Sequence, residues 1–337
     1  MRARRLMAVA TASLIVTLSA GGSQGLSAQA RLPHGPIAID CARACLEGLI
    51  DQYLAAVVAH DPKRLPLSAD VRYTENDQPL AIGDGFWGTA TGIGGYRLIV
   101  ADPMSGQVGF IGSMREGNNP LLMSLRLRVQ LGRITEVETT YFRQGGGGPN
   151  DIAGLDKSTP EPHWTAAVPP GQRASRQQLI AVANAYFEGV QGNDGKGYYP
   201  FTDDCRRREN GALTANAAPN AKLPPGGFDA FALPCRKQLE SGYYAVATRI
   251  HSRRYPVVDE ERGIVFAYAM FDMAGTVKEI TLTTGQTVSM ANFNRPAGIE
   301  VTEAFKIENG LIRGIEMVGG SVPYHFRSAW EGGLSGK

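Results

Sequence analysis

Between positions 41 and 60, apolar side chains return every three or four places: Leu46, Leu49, Ile50, Tyr53, Leu54 and Val57. That stripe predicts an amphipathic helix from about Cys41 to His60, closed by Asp61–Pro62. Beyond it the runs become strand-like, at 71–74, 96–101, 107–114, 123–131 and 134–143. Ser105–Gly106, Asn118–Asn119–Pro120 and Leu131–Gly132 supply the turns between them. The series then restarts: a helix reads from about Ser175 to Val190, and strands follow at 245–254, 263–272, 299–307 and 311–317. A helix followed by a curled antiparallel sheet predicts an α+β unit with the helix packed on one face.

The two series are copies. Tyr53, Asp61, Pro66, Asp70, Arg72 and Glu75–Asn76 are answered in order by Tyr186, Asp194, Pro200, Asp204, Arg206 and Glu209–Asn210. Asp102 before Gly106 is answered by Asp259 before Gly263, and Leu127–Ile134 by Phe305–Ile312. A period above 100 residues implies duplication of a whole domain. The expected layout is a first unit at 31–144, a Gly- and Pro-rich connector at 145–173, and a second unit at 174–331. The second unit carries insertions at about 211–242 and 274–296.

Arg2, Arg4 and Arg5 precede an uncharged stretch from Leu6 to Leu18, and Ala28–Gln29–Ala30 offers a small-residue cleavage site. This is the pattern of a secretory signal peptide over residues 1–30. The protein is expected in an oxidising compartment, secreted or periplasmic, with no membrane attachment once the leader is removed. Composition is that of a globular protein, 43% hydrophobic and 20% charged, with a formal net charge of +2. Nucleic acid is therefore not an expected partner. Of the 4 cysteines, Cys205 and Cys235 flank the first insertion and Cys41 and Cys45 stand one helical turn apart; two disulfides are expected, although three pairings are possible. No Cys-x-x-Cys pair occurs and no histidine stands at ligand spacing from a cysteine, so no metal is expected. Gly92, Gly94 and Gly95 do not lead from a strand into a helix, so no cofactor loop is expected either.

Several motifs together carry a resemblance. They are Tyr53 with Ala55–Ala56, the strand Arg72–Tyr73–Thr74–Glu75–Asn76, the turn Gly83–Asp84–Gly85–Phe86–Trp87 and the closing hairpin Gly132–Glu138. Asp204–Cys205–Arg206–Arg207, Glu209–Asn210–Gly211 and Phe305–Lys306–Ile307 before Gly310 extend it to the second half. The chain resembles the NTF2-like, or SnoaL-like, superfamily, and more narrowly a group of secreted proteins with a domain of unknown function found in fungi and bacteria. The resemblance implies two tandem cone-shaped domains, each with helices against a bent sheet and a pocket in its mouth. It implies no single chemistry, because such folds host isomerases, dehydratases, hydrolases, cyclases and plain binding domains.

Glu75–Asn76 and Glu209–Asn210 are the leading catalytic candidates. Adjacent strand residues face opposite sides, so an inward carboxylate among Tyr73, Trp87 and Tyr96 would gain proton affinity by desolvation and serve as acid or base. The competing reading is a turn, with Asn in a left-handed conformation; Asn210–Gly211 is a strong hairpin signal. His251 shares a predicted strand face with Arg253 and would complete an acid/base pair if it faced Glu209. Arg126 and Arg207 are candidate substrate-binding cations, along with Tyr73, Trp87 and Tyr96; for Arg126 the alternative is pairing with Glu136 and Glu138. Two functions remain open. One is a cofactor-free lyase, isomerase or hydrolase acting on a small molecule. The other is a non-catalytic ligand-binding or interaction module whose two halves form an intramolecular pseudo-dimer, in a chain that is monomeric or a homodimer.

Overall fold

The computed structural model describes residues 41–223 and 227–331, so the leader read at 1–30 lies outside the described residues. The first half opens with helix α1 (Arg43–Val58), which buries the Leu46–Val57 stripe that its spacing predicts. No side chain caps its start among the described residues; there Cys41 and Cys45 are joined as a disulfide, Cα–Cα 5.3 Å. Strands β1 (Leu67–Glu75), β2 (Gln78–Leu80), β3 (Ala90–Asp102), β4 (Gln107–Glu116), β5 (Asn119–Gln130) and β6 (Arg133–Arg143) form one sheet, ordered β2-β1-β6-β5-β4-β3. The connector holds two short helices, α2 (Ile152–Asp156) and α3 (Pro162–Thr165). Helix α4 (Arg176–Val190) then starts from a reciprocal capping box between Ser175 and Gln178.

The second half repeats the plan with β7 (Phe201–Glu209), β8 (Ala212–Leu213), helix α5 (Cys235–Glu240), β9 (Arg249–Asp259), β10 (Ile264–Met273), β11 (Glu279–Thr281), β12 (Thr287–Ser289), β13 (Ala297–Glu308) and β14 (Leu311–Val322). Its sheet is ordered β8-β7-β14-β13-β10-β9, the same sequence of equivalents, while β11 and β12 make a separate hairpin. The tandem α+β architecture implied by the resemblance is present. One detail differs: β1 runs parallel to β6, and β7 parallel to β14, so each sheet is mixed. The whole meander between first and last strand acts as the long crossover that a parallel pair requires.

The inserted segments, described at 211–223, 227–242 and 274–296, pack against one another beside the second sheet. Cys205–Cys235 fastens the first of these segments, Cα–Cα 6.0 Å. Val246, Ile280, Leu282 and Met290 form a small core that also takes in Phe228, Tyr243 and Phe293, so the two segments and the 243–246 turn pack as one cover.

The sheets meet back to back. Along β5, Leu121, Met123, Leu125 and Leu127 face α1, whereas Leu122 joins Ile111, Val257, Phe266 and Val318 in the seam between the sheets. Gly109 is glycine for this reason: a Cβ there would lie 2.8 Å from the Phe266 ring. The contacts are reciprocal, as in a two-fold dimer. Arg43, first residue of α1, forks onto Asp259 at 2.7 and 2.8 Å; Arg176, first residue of α4, reaches Asp102 at 2.5 Å. At the centre, the equivalent residues Ser124 and Thr302 hydrogen-bond each other at 2.9 Å.

Asp102 is 2% exposed and also accepts the Val258 N–H at 3.0 Å. Asp102→Ala would strand these donors and the Ser105 N–H, which Asp102 also accepts at 3.2 Å, and we expect a loss of about 2 kcal/mol. A lower urea midpoint at unchanged m-value checks this; an unshifted midpoint would refute the pairing as a seam anchor.

Candidate active site

In the first cone, β1 carries Tyr73 and Glu75 inward. The Glu75 carboxylate accepts the Tyr73 hydroxyl at 3.0 Å and the Phe86 N–H at 2.7 Å. It thereby pins the 85–88 turn that delivers Phe86 and Trp87. Trp87 donates its indole N–H to the Tyr53 hydroxyl at 3.2 Å, and Phe86 packs on Tyr141 with ring centroids 4.5 Å apart. Tyr53, Tyr73, Phe86, Trp87 and Tyr141 are all buried. Burial pushes the Tyr53 and Tyr73 phenols up, and they stay neutral. This interior is filled with rings.

The second cone differs at two equivalent positions and keeps the glutamate at a third. The pairing of β1 with β6 and of β7 with β14 places Arg207 where the first half has Tyr73, and Glu209 where it has Glu75. Glu303 on β13 occupies the place of Leu125, because Glu303 pairs with Met317 as Leu125 pairs with Thr139. Arg207, 1% exposed, meets Glu209 at 3.1 Å, the Thr214 hydroxyl at 3.1 Å, and the Tyr244 hydroxyl. Tyr244 and Gln238 come from the cover and bond each other at 2.8 Å. The Glu303 carboxyl is 2% exposed. One of its oxygens receives the Tyr186 hydroxyl at 3.4 Å, and the other has no hydrogen-bond partner among the described residues. Burial pushes Glu303 up to about 8, and the Glu209 carboxylate adds to this; Arg207 and the Tyr186 hydroxyl pull the other way. A guanidinium, two carboxyl groups and two phenols thus converge within the buried core of the second half, beside Phe187, Val301 and Phe305.

The expected site residues divide accordingly. Glu209 and Arg207 come together. Asn76 and Asn210 do not join them: both hold left-handed backbone, φ 46° and 48°, and their amides bond the Tyr141 N–H and the Gly319 backbone across the sheet. The turn reading holds for both. Tyr96 faces the seam and donates to Glu316 at 2.9 Å. Arg126 faces it too, paired with Glu136 at 2.7 Å and Glu138 at 2.8 Å; alternation along β3 and β5 turns both residues away from the cone.

His251 is not opposite Glu209. Ser252 takes φ 53° and the β9–β10 register shifts there. The irregularity sends His251 to Asp272, 3.3 Å away, and Arg253 over the Phe187 ring at 5.8 Å. Burial lowers the proton affinity of His251.

Glu303 was missed, although the signal is in the sequence: along 299–307 it sits in phase with Ile299, Val301, Phe305 and Ile307, an acid on an otherwise apolar strand face. An open hollow of about 380 Å³ lies elsewhere, between Glu161, Asp204, Arg206 and Arg313. Its charges already pair, Arg206 with Glu161 at 2.8 Å and Arg313 with Asp204 at 3.4 Å.

Residues 172–319 match a family model described as a domain of unknown function, DUF8021. No curated protein matches the chain. Three solved structures are similar to parts of it. AclR from Streptomyces galilaeus, provisionally named a hydroxylase, aligns at 14% identity over 35% of this chain and 95% of its own, TM-score 0.26. A protein of Kribbella flavida DSM 17836, provisionally a ketosteroid isomerase, aligns at 15% identity over 34% and 90%, TM-score 0.24. One from Jannaschia sp. CCS1, provisionally a SnoaL-like polyketide cyclase, aligns at 14% identity over 44% and 91%, TM-score 0.26.

A carboxyl raised from 4.5 to about 8 on folding stabilises the fold fully only below the lower value, and that contribution is lost as pH climbs through the higher one. Glu303→Gln should therefore gain in melting temperature relative to the parent between pH 5 and pH 9. A difference that stays constant across that range would contradict the burial.

Proposed function

We propose that the protein is exported and that its second half is a cofactor-free acid/base enzyme acting on a small molecule, a lyase, isomerase or hydrolase. The observation that carries this reading is Glu303, a carboxyl group within an aromatic wall with one oxygen uncommitted among the described residues. A group pushed up to about 8 holds its proton at neutral pH and can donate it to a ligand oxygen; having done so, it can take one back. Glu209, beside Arg207, sits in a more polar setting. Two carboxyl groups in unlike environments are the usual arrangement for dividing acid and base roles. In this reading Glu303 protonates or hydrogen-bonds the ligand, Glu209 accepts a proton, and Arg207, Tyr186 and Tyr244 orient the molecule. The cover must open to admit it.

The first cone has no such group at that position, since Leu125 stands in the place of Glu303 and rings fill the space. Its role is to complete the seam. A second reading, a non-catalytic module built as an intramolecular pseudo-dimer, draws support from this filled cone and from the reciprocal Arg–Asp pairs.

The test is proton exchange from carbon into D₂O, followed by NMR on a panel of small enolisable carbonyl compounds. We expect exchange of at least one compound, reduced about 10²–10⁴-fold in Glu303→Gln and barely altered in Glu75→Gln. Equal rates in the parent and in Glu303→Gln would end the enzyme reading. A panel wholly inert in the parent, with no ligand co-purifying in native mass spectrometry, would favour the module.

A further inference from the structure

Each half continues past its last strand into an arm that crosses to the sheet of the other half. The connector sends Trp164 against β14, where a Cβ on Gly314 would lie 2.9 Å from its ring, and Glu161 to Arg206 on β7. The chain after β14 makes the return crossing. Trp330 donates to the Thr74 hydroxyl on β1 at 3.0 Å. The guanidinium of Arg72 stacks 3.6 Å from its ring, with Arg126 at 4.6 Å and Arg254 at 5.7 Å. Arg72 also donates to the Ala329 carbonyl. Beyond β14, this second arm is held by these contacts.

The hold on the second arm passes through a buried carboxyl group. Asp77, 4% exposed, accepts the Ser328 hydroxyl at 3.3 Å and the Ala329 N–H at 3.0 Å on one oxygen. Its other oxygen has no partner among the described residues. Beneath it is a small cavity of about 10 Å³ whose lining includes Asp77, Glu138, Glu300, Arg254, Tyr268 and Ser328. Glu300, also 4% exposed, accepts the Thr140 hydroxyl at 2.8 Å. Among the described residues, three carboxyl groups therefore line a cavity that contains one guanidinium. That guanidinium, of Arg254, is bound to Glu138, as is Arg126. Neither Asp77 nor Glu300 has a cation in contact among the described residues, and ionising either would put like charges together out of water.

We propose that residues 324–331 form a proton-locked strap, seated across the seam while Asp77 and Glu300 are protonated and released as they ionise. Burial supports this, pushing Asp77 up to about 6 and outweighing the Ser328 and Ala329 donors, which pull the other way; burial likewise pushes Glu300 up to about 8. A seated state that raises the affinity of a carboxyl for its proton is favoured below the ordinary carboxylate range, and loses that advantage as pH rises through 6 and 8.

Other charged or titratable groups lie around the strap and its neighbours. Arg72 comes from β1, Arg126 from β5, Glu136 and Glu138 from β6, Arg254 and His251 from β9, Tyr268 and Asp272 from β10, and His325 and Glu331 from the strap. The histidines lie near Asp272, at 3.3 Å for His251 and 3.7 Å for His325; burial lowers the proton affinity of His251, so its titration would run against the lock. The double substitution D77N/E300Q separates the two causes, because both amides keep an acceptor oxygen for the strap and for Thr140 but no longer titrate.

The experiment is amide hydrogen exchange over 324–331 in the full oxidised chain from pH 5 to pH 8.5, with rates corrected for intrinsic exchange. The emission of Trp330 is isolated in parallel by subtracting a W330F variant. In the parent we expect protection to fall at least about tenfold across that range, and Trp330 emission to move to the red. In D77N/E300Q both should stay nearly flat. Parent protection that does not change with pH overturns the proposal, as does an undiminished pH response in the double variant. If that variant fails to fold, D77N alone is compared with the parent: a response at least partly flattened around pH 6 supports the lock, and an unaltered one overturns it.

Discussion

Everything in this molecule rests on two sheet faces that cannot stay wet. Each sheet buries one face under its own helix and is left with another carrying Leu98, Val100, Ile111 and Leu122 in the first half, and Val257, Ile264, Phe266 and Val318 in the second. Packing these together removes both from water, which is the main favourable term in such an association. Because the halves are copies, the packing is nearly symmetric. The same Arg–Asp pair then forms twice, and Ser124 meets its own equivalent, Thr302. A contact that forms between two copies of one fold does so without a diffusional search when both are on one chain.

Once the seam is secured by both halves, the two cones no longer carry the same burden. The first is filled by Tyr53, Tyr73, Phe86, Trp87 and Tyr141, and even its carboxylate, Glu75, is used to hold a turn. The second accepts Arg207, Glu209 and Glu303 in the same space. Burying such groups is expensive unless each finds a partner; Arg207 finds several, whereas Glu303 finds one among the described residues, and burial pushes its proton affinity up. The two inserted segments make this tolerable by keeping water out. They also keep these polar groups in a low dielectric, where their interactions with one another are strong.

The arms show duplication producing unequal outcomes from one device. Trp164 and Trp330 are each laid on the opposite sheet, but the first lies in a connector and the second in a tail. Around the tail, arginines are drawn to the indole face, where cation–π attraction adds to packing. Carboxyl groups that serve Arg126 and Arg254 leave Asp77 and Glu300 without cations among the described residues. Electrostatic matching in this seam is complete at its ends and incomplete under the strap.

Several features were legible from the chain alone, because they depend on local spacing. The Leu46–Val57 stripe gave α1, the recurrence of Tyr53 to Asn76 at Tyr186 to Asn210 gave the tandem plan, and the cysteine positions suggested the two disulfides that are formed. Alternation along 299–307 also held the clue to Glu303, since a strand can hide an acid only by pointing it inward. Other features depended on partners far away in sequence. Period two tells which residues share a face but not which face is the cone, so Tyr96 and Arg126 could be assigned to a pocket when they belong to the seam. A left-handed residue at Ser252 reverses the alternation, and no residue type there announces it; His251 was misplaced for that reason. Whether Asn76 and Asn210 act on a ligand or on the backbone was decided by Tyr141 and Gly319, more than 60 positions away in each case. The chain itself determines periodicity and repetition. Only the folded structure decides which faces meet, because that choice is made by the total area two surfaces can remove from water and by which charges remain unmatched when they do.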